Sequence, residues 1–73
     1  MAINYEHNLA LIDPETNMCI QVMSTSDPEE ANMPNVVTIE VYDEEYLFKY
    51  YNWDNGKFYY DPEYIQEYIS PLL

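Results

Sequence analysis

The chain has 73 residues, enough for one small domain (residues 1–73), and its 14 acidic residues against two lysines give a formal net charge of −12. With no cationic patch to meet phosphate groups, we expect no direct binding to DNA, RNA or an anionic membrane. Aromatic residues nevertheless make up 16% of the chain, nine of them tyrosines, which predicts a folded domain rather than a solvating acidic tail.

Cysteine content and hydropathy bound the setting further. The lone Cys19 excludes an intramolecular disulfide framework. The chain has no apolar run of about 18 residues, so we expect no transmembrane helix. The polar stretch 1–7 lacks the basic and apolar segments of a secretory signal, and it is predicted to be a loosely held lead-in.

A first hairpin is predicted from residues 8–13 and 18–23, joined by a turn over residues 14–17. The turn has suitable chemistry, because Pro14 fixes φ and Asn17 tolerates a left-handed backbone. With Asp13 opposite Met18, Ile12 would lie opposite Cys19 and Leu9 opposite Val22, and the strands have two faces. The predicted core face is Leu9, Leu11, Met18, Ile20 and Val22. The second face is only partly polar, and it is either covered or used for contact: Ala10, Ile12, Cys19, Gln21 and Met23.

A loop and a strand come next. Residues 24–35 read as a loop with a single helical turn from Pro28, capped by Ser26 or Asp27. Residues 36–42 are rich in β-branched side chains and predict a strand. Its core-facing side chains would be Val37, Ile39 and Val41.

The segment after this strand has two readings. Asp43 could cap a short helical turn through Tyr46, or the segment could simply extend into the next strand.

Asn55-Gly56 predicts a second hairpin with a two-residue type I′ turn, because both residues tolerate positive φ. In that register four aromatic side chains share one face and form half of the core: Tyr51, Trp53, Phe58 and Tyr60.

Asp61-Pro62-Glu63 has the chemistry of a helix start, with an N-cap, a proline and an acid in the first turn. A helix over residues 62–69 would present one apolar stripe: Tyr64, Ile65, Tyr68 and Ile69. The predicted fold is therefore α+β and β-rich, with about five antiparallel strands (two hairpins plus one strand) and a short C-terminal helix.

The sequence gives little support for a catalytic site or a metal site. Residues 13–17 and 52–56 place oxygen donors at alternate positions, but neither stretch supplies the glycine and the bidentate glutamate of a calcium loop. Cys19 is interpreted as a packing residue and His7 as a surface residue. Gly56 is the only glycine, so the chain has no glycine-rich phosphate loop. We therefore expect no metal site, no cofactor and no enzyme activity.

A binding surface is the better candidate, because tyrosine gives large contact area at low entropic cost. Nine tyrosines exceed what so small a core can bury, and we expect Tyr42, Tyr46, Tyr50 and Tyr59 to be partly exposed. Mixed with acids, they would form an acidic and aromatic contact surface. The predicted partner-binding residues are Glu40, Tyr42, Asp43, Glu44, Glu45, Tyr46, Tyr50 and Tyr59.

Three segments in this order resemble a small β-rich module of bacteriophage virion proteins, particularly tail and fibre components. They are Leu-Ile-Asp-x-x-Thr at residues 11–16, the strand at residues 38–42, and Tyr-Asn-Trp-Asp-Asn-Gly-Lys-Phe at residues 51–58. The resemblance implies a structural or binding module in a virion and brings no catalytic residues with it.

The predicted function is a non-catalytic protein–protein interaction module, a phage tail, fibre or baseplate accessory protein located in the virion or the host cytoplasm. The alternative is an acidic protein that imitates nucleic acid and inhibits a basic host protein. The two differ in how the acids are arranged, because mimicry needs a row of carboxylates at phosphate-like spacing.

Overall fold

The computed structural model describes residues 7–73 and shows a β-rich fold of six strands and two 3₁₀ turns. The 3₁₀ turns are Glu30–Asn32 and Glu44–Tyr46. The strands are β1 (His7–Ile12), β2 (Cys19–Thr25), β3 (Val36–Ile39), β4 (Tyr50–Asn52), β5 (Lys57–Tyr59) and β6 (Glu67–Tyr68). Of the predicted lead-in, only His7 lies within the described residues.

The strands form two antiparallel sheets of three, in the orders β2-β1-β3 and β4-β5-β6. An isolated bridge between Met18 and Tyr50 links the two. Beside it, the Cys19 N–H donates to the Lys49 carbonyl at 2.7 Å, and the Phe48 N–H donates to the Cys19 carbonyl at 2.8 Å. The β2 side of one sheet therefore continues into the β4 side of the other.

The predicted α+β class is wrong, because residues 7–73 contain no α-helix and the C-terminal segment ends as a strand. Tyr64 has φ +59°, which breaks a right-handed helix after its first turn. The Tyr60 N–H donates to the Gln66 carbonyl at 2.9 Å, and the chain thereby returns to pair with β5. An eight-residue helix is marginal on its own, whereas pairing as β6 buries Tyr68.

The first hairpin confirms the predicted pairing of Ile12 with Cys19, and Leu9 of the predicted core face is fully buried, but the main core cluster forms on the other face. A bulge between Cys19 and Gln21 sets Ile20 outside the ladder, so Val22 lies opposite Ala10 rather than Leu9. Ile20 is exposed. The side chains that join the main core come instead from the face predicted to be partly polar: Ala10, Ile12 and Cys19, with Val22 packed beside them.

Aromatic rings fill the other half of this core. Tyr46 lies 4.7 Å from Phe58 and 5.3 Å from Tyr68 between ring centroids. Ala10 and Cys19, both fully buried, belong to the same core cluster as these rings.

The second hairpin pairs Tyr51 with Phe58 and Asn52 with Lys57, so its loop has four residues rather than two. The Gly56 N–H donates to the Asn52 carbonyl at 2.8 Å, and Gly56 alone in this loop has positive φ, at +73°. The predicted type I′ turn is therefore wrong. Trp53 belongs to the loop and is 49% exposed, so it is not the core residue that the shorter turn implied.

One of the predicted helical turns is displaced and one is confirmed. The turn predicted from Pro28 begins at Glu30, and its N-cap Glu29 makes no side-chain cap hydrogen bond, while Asp27 accepts the Glu29 N–H at 2.9 Å just before it. Asp43 is the N-cap of the second 3₁₀ turn and accepts the Glu45 N–H at 2.9 Å. β3 is shorter than predicted and ends at Ile39, which is buried, while Val41 is half-buried beyond the strand.

Candidate functional site

The acidic loop, residues 40–45, connects β3 to the second 3₁₀ turn and contains five of the predicted partner-binding residues. Asp43 points inward and is 5% exposed. Its Oδ1 accepts the Glu45 N–H, as an N-cap does. The carboxylate of one acid thus fixes the backbone on which the others are carried.

The other oxygen of Asp43, Oδ2, accepts a hydrogen bond from the Tyr68 hydroxyl. Burial alone would raise the pKa of Asp43, but hydrogen bonds from Tyr68, Ser70 and the Glu45 N–H outweigh it and hold this pKa below its ordinary value. Burial and the adjacent carboxylate raise the pKa of Tyr68 well above that of a free tyrosine. The pair is therefore an ionised acid and a neutral phenol that tie β6 to the acidic loop.

The remaining acids of the loop face solvent. Glu40, Glu44 and Glu45 are exposed, and so is Tyr42, whose hydroxyl donates to Glu44 Oε1 at 3.5 Å. A loop anchored through a buried side chain loses little further entropy when a partner binds. The geometry therefore offers three carboxylates and one aromatic ring on a preorganised base.

Both lysines are engaged by their own fold. Lys49 Nζ donates to the Glu45 carbonyl at 2.8 Å and lies 4.8 Å from the Tyr68 ring centroid. It also lies 5.0 Å from the Tyr60 ring centroid. Lys57 Nζ is 3.8 Å from Glu67 Oε1. Within residues 7–73, neither lysine forms an ion pair with the carboxylate of Glu40 or Glu44. Both carboxylates are therefore open to a basic partner.

The structure does not bring all eight predicted residues together on the surface. The expected exposure of Tyr46 and Tyr59 is wrong, because both are buried, and Asp43 is an anchor rather than a contact residue. Tyr50 is half-buried and pairs with Tyr59 across β4 and β5. The Tyr59 ring packs 5.3 Å from that of Tyr64. The tyrosines of this hairpin therefore build the fold.

In residues 7–73, no three His, Cys, Asp or Glu side chains cluster in a way that could hold a metal ion. Cys19 is fully buried. Burial raises the pKa of its thiol and so disfavours the reactive thiolate. Packing is its role, as predicted. His7 is half-buried at the start of β1.

The sequence interpretation missed Phe48, which is 64% exposed and has φ +69°. A bulky residue in the left-handed region is a strained position that needs support from its surroundings. Hydrogen bonds of Cys19 with the Phe48 N–H and with the Lys49 carbonyl supply this support. No pattern in the run Tyr-Leu-Phe-Lys at residues 46–49 signals this arrangement.

Comparison of the chain with protein families, with curated proteins and with solved structures yields no match. Within residues 7–73, no helix is long and apolar enough to span a bilayer.

Proposed function

We propose that the protein is a non-catalytic protein–protein interaction module, and that its acidic loop is the part that meets the partner. The observation that carries this proposal is the burial of Asp43 beneath exposed acids. A carboxylate held by Tyr68 and by the Glu45 N–H fixes the loop, so that Glu44 and Tyr42 are presented in one conformation.

Charge and aromatic area have separate roles in this proposal. The exposed carboxylates steer a basic partner and raise its association rate. The Tyr42 ring supplies contact area, which slows dissociation. The engagement of both lysines within the fold supports the first role, because among residues 7–73 neither lysine forms an ion pair with the exposed acids of the loop.

The setting is proposed from sequence alone. The resemblance of residues 11–16, 38–42 and 51–58 to phage tail and fibre modules supports a partner within a phage particle, and a location in the virion or the host cytoplasm. Neither the partner's identity nor the host is part of the proposal.

The first experiment supplies the partner. Immobilised protein is incubated with lysate of phage-infected cells, and retained proteins are identified by mass spectrometry. Association and dissociation rates of the purified partner are then measured for the wild type and two variants, Glu44→Gln/Glu45→Gln and Tyr42→Ala. The matched control is Glu29→Gln/Glu63→Gln, which removes the same charge from two exposed acids outside the loop.

The loop variant should slow association on the order of tenfold at low salt. Tyr42→Ala should accelerate dissociation by a factor that corresponds to about 1–2 kcal/mol. If the control weakens binding as much as the loop variant does, the loop is not the contact and the proposal is wrong.

Salt separates the proposal from nucleic-acid mimicry. A module that buries aromatic area keeps most of its affinity as salt rises, whereas a mimic seated in a basic groove loses it steeply. Competition by duplex DNA for the partner's site, together with such a salt dependence, would replace the proposed module with the inhibitor.

A further inference from the structure

β3 and β6 each pair on one side only. β3 is hydrogen-bonded to β1, and β6 is hydrogen-bonded to β5. Among residues 7–73 no further strand lies beyond either of them. β2 and β4 are instead linked by the Met18 and Tyr50 bridge. The ladder is therefore closed on that side of the core and open along what we call the seam, the gap between β3 and β6.

A pocket of about 260 Å³ occupies the seam. Its apolar walls include Ile39 from β3, Phe58 from β5 and Tyr68 from β6. Glu40 and Glu67 line it as exposed acids on opposite sides, one just after β3 and one in β6, and Lys57, whose Nζ lies 3.8 Å from Glu67 Oε1, lines it as well. The seam thus combines two strand edges, an apolar pocket and carboxylates on both flanks.

These features select the kind of ligand. Small-molecule sites have volumes of roughly 300–1,000 Å³, so this pocket suits a single side chain better than a whole metabolite. Strand edges bind extended peptides through main-chain hydrogen bonds, while alternate side chains enter pockets. Glu40 favours lysine or arginine beside the apolar side chain, and at Glu67 a second basic side chain would share the carboxylate with Lys57.

We propose that the seam binds an extended segment of the protein partner, in which an apolar side chain is flanked by basic ones. The segment adds a strand to the sheet edge, its apolar side chain fills the pocket, and its basic side chains pair with Glu40 and Glu67. This proposal rests on the proposed function, and it adds a second contact of defined chemistry to the acidic loop.

The hydrogen bond between Asp43 and Tyr68 connects the seam to the acidic loop. Tyr68 lines the pocket with its ring, while its hydroxyl holds the acidic loop. A partner that reached across both would bury Glu40 between them. The partner segment that enters the seam is thus continuous with the surface that meets the loop.

The test uses a defined probe, the capped eight-residue peptide of four Lys-Val repeats. Its binding to the full chain, labelled with ¹⁵N, is followed by amide chemical shifts. Binding at the seam should move the amides of Thr38, Ile39, Glu67 and Tyr68 most. An analogue with backbone N-methyl groups on alternate residues keeps charge and side chains but loses donors, and should bind at least tenfold more weakly.

Two matched pairs of variants locate the site. Ile69 lines the pocket whereas Ile65 does not, and both are exposed, at 67% and 77%. Ile69→Ser should weaken binding of the peptide several-fold, while Ile65→Ser leaves it unchanged. Glu40→Gln/Glu67→Gln should likewise weaken binding more than Glu29→Gln/Glu63→Gln does.

Three outcomes would overturn the proposal that the seam binds an extended peptide. They are no binding of the peptide at millimolar concentration, equal binding of the N-methylated analogue, or equal losses of peptide affinity within the matched pairs of variants. The last two would show unspecific attraction to an acidic surface. None of these results uses Glu44 or Glu45, so the seam can fail while the acidic loop remains the contact of the captured partner. Failure of the loop variants with the partner, in turn, would leave the result with the peptide unchanged.

Discussion

The tripeptide Asp-Pro-Glu occurs three times in this molecule, at residues 13–15, 27–29 and 61–63, and the loops at 13–15 and 61–63 differ in how the aspartate is used. Asp13 accepts the Glu15 N–H at 2.9 Å, and the turn closes within four residues. Asp61 reaches further and accepts the N–H groups of Ile65 and Gln66. One tripeptide therefore supports a tight turn and a wide loop.

Each of the two loops contains one residue in the left-handed region of φ/ψ space. Asn17 has φ +64° and Tyr64 has φ +59°. Asparagine adopts that conformation readily, so the first turn is encoded locally. Tyrosine does not, and here the ring packs on Tyr59 while the hydroxyl accepts a hydrogen bond from Asn17. The wide loop is thus imposed by tertiary contacts.

The largest expected effect comes from removing the anchor that holds the wide loop in place. Tyr68→Ala deletes a buried ring and should lower the free energy of unfolding by about 3–5 kcal/mol, a large share of the stability of so small a domain. Urea unfolding followed by circular dichroism measures it. Ile69→Ala, at the exposed next position, should cost under about 0.5 kcal/mol, and equal costs would show that β6 is not anchored through Tyr68.

Asp43→Asn removes the charge of the anchor but keeps its shape, and should cost about 1.5–3 kcal/mol near neutral pH. The pKa of Asp43 is lowered by folding, so its contribution is present above the ordinary carboxyl pKa and is lost as pH falls through the lowered one. The pKa of Tyr68 is raised, so its contribution is lost as pH rises above about 10.

Thermal unfolding of the wild type and of Asp43→Asn across this pH range measures the difference. The gap between the two melting temperatures should close in acid. A gap that persists undiminished in strong acid would mean that Asp43 is not ionised in the folded protein.

The paired substitutions Asp61→Ala and Asp13→Ala compare the loops directly. Asp13→Ala removes one side-chain acceptor of a turn and should cost about 1 kcal/mol. Backbone N–H groups, led by that of Gln66, lower the pKa of Asp61, and its loss leaves more donors without a partner. Asp61→Ala should therefore lower the melting temperature more than Asp13→Ala does, and the reverse order would contradict the comparison.

The smallest expected effect concerns Asn17, whose side chain joins the loops. Its Oδ1 accepts the Trp53 Nε1–H at 3.1 Å, and its Nδ2 donates to the Tyr64 hydroxyl at 3.2 Å. Asn17→Gly keeps the left-handed backbone and removes both hydrogen bonds, so it should cost about 0.5–1 kcal/mol. Trp53 fluorescence should shift at the same time. An unshifted spectrum would mean that the amide does not hold the indole in solution.

Local chemistry in the sequence predicted some of the turns, but not the four-residue loop at Asn55-Gly56. The cap of Asp43, the left-handed Asn17 and the pairing of Ile12 with Cys19 are each decided by a few neighbouring residues, and each is confirmed. Tertiary choices were beyond such patterns. Both faces of the first hairpin are apolar enough to be core, and the sequence pattern does not show which of them joins the aromatic rings in the main core.

The predictions of the C-terminal helix and of the contact surface were wrong for related reasons. Residues 62–69 have the helical spacing of apolar side chains, but in the structure burial alternates along the chain, with Tyr68 and Ser70 buried and Glu67 and Ile69 exposed. The pairing with β5 favours the strand. The burial of Tyr46 and Tyr59 follows from that sheet, so the sequence identified the acidic loop as a segment but not which of its side chains face solvent.

The open seam also bears on how copies of this chain behave towards one another. Unpaired strand edges are templates for edge-to-edge association, which proteins counter with charge, proline or a covering element. Here the net charge of −12 is the evident countermeasure, since like-charged copies repel before their edges can meet. Protonation of the carboxylates in acid removes that repulsion. The ionisation of the acids therefore controls both how strongly copies of the chain repel one another and whether their strand edges can associate.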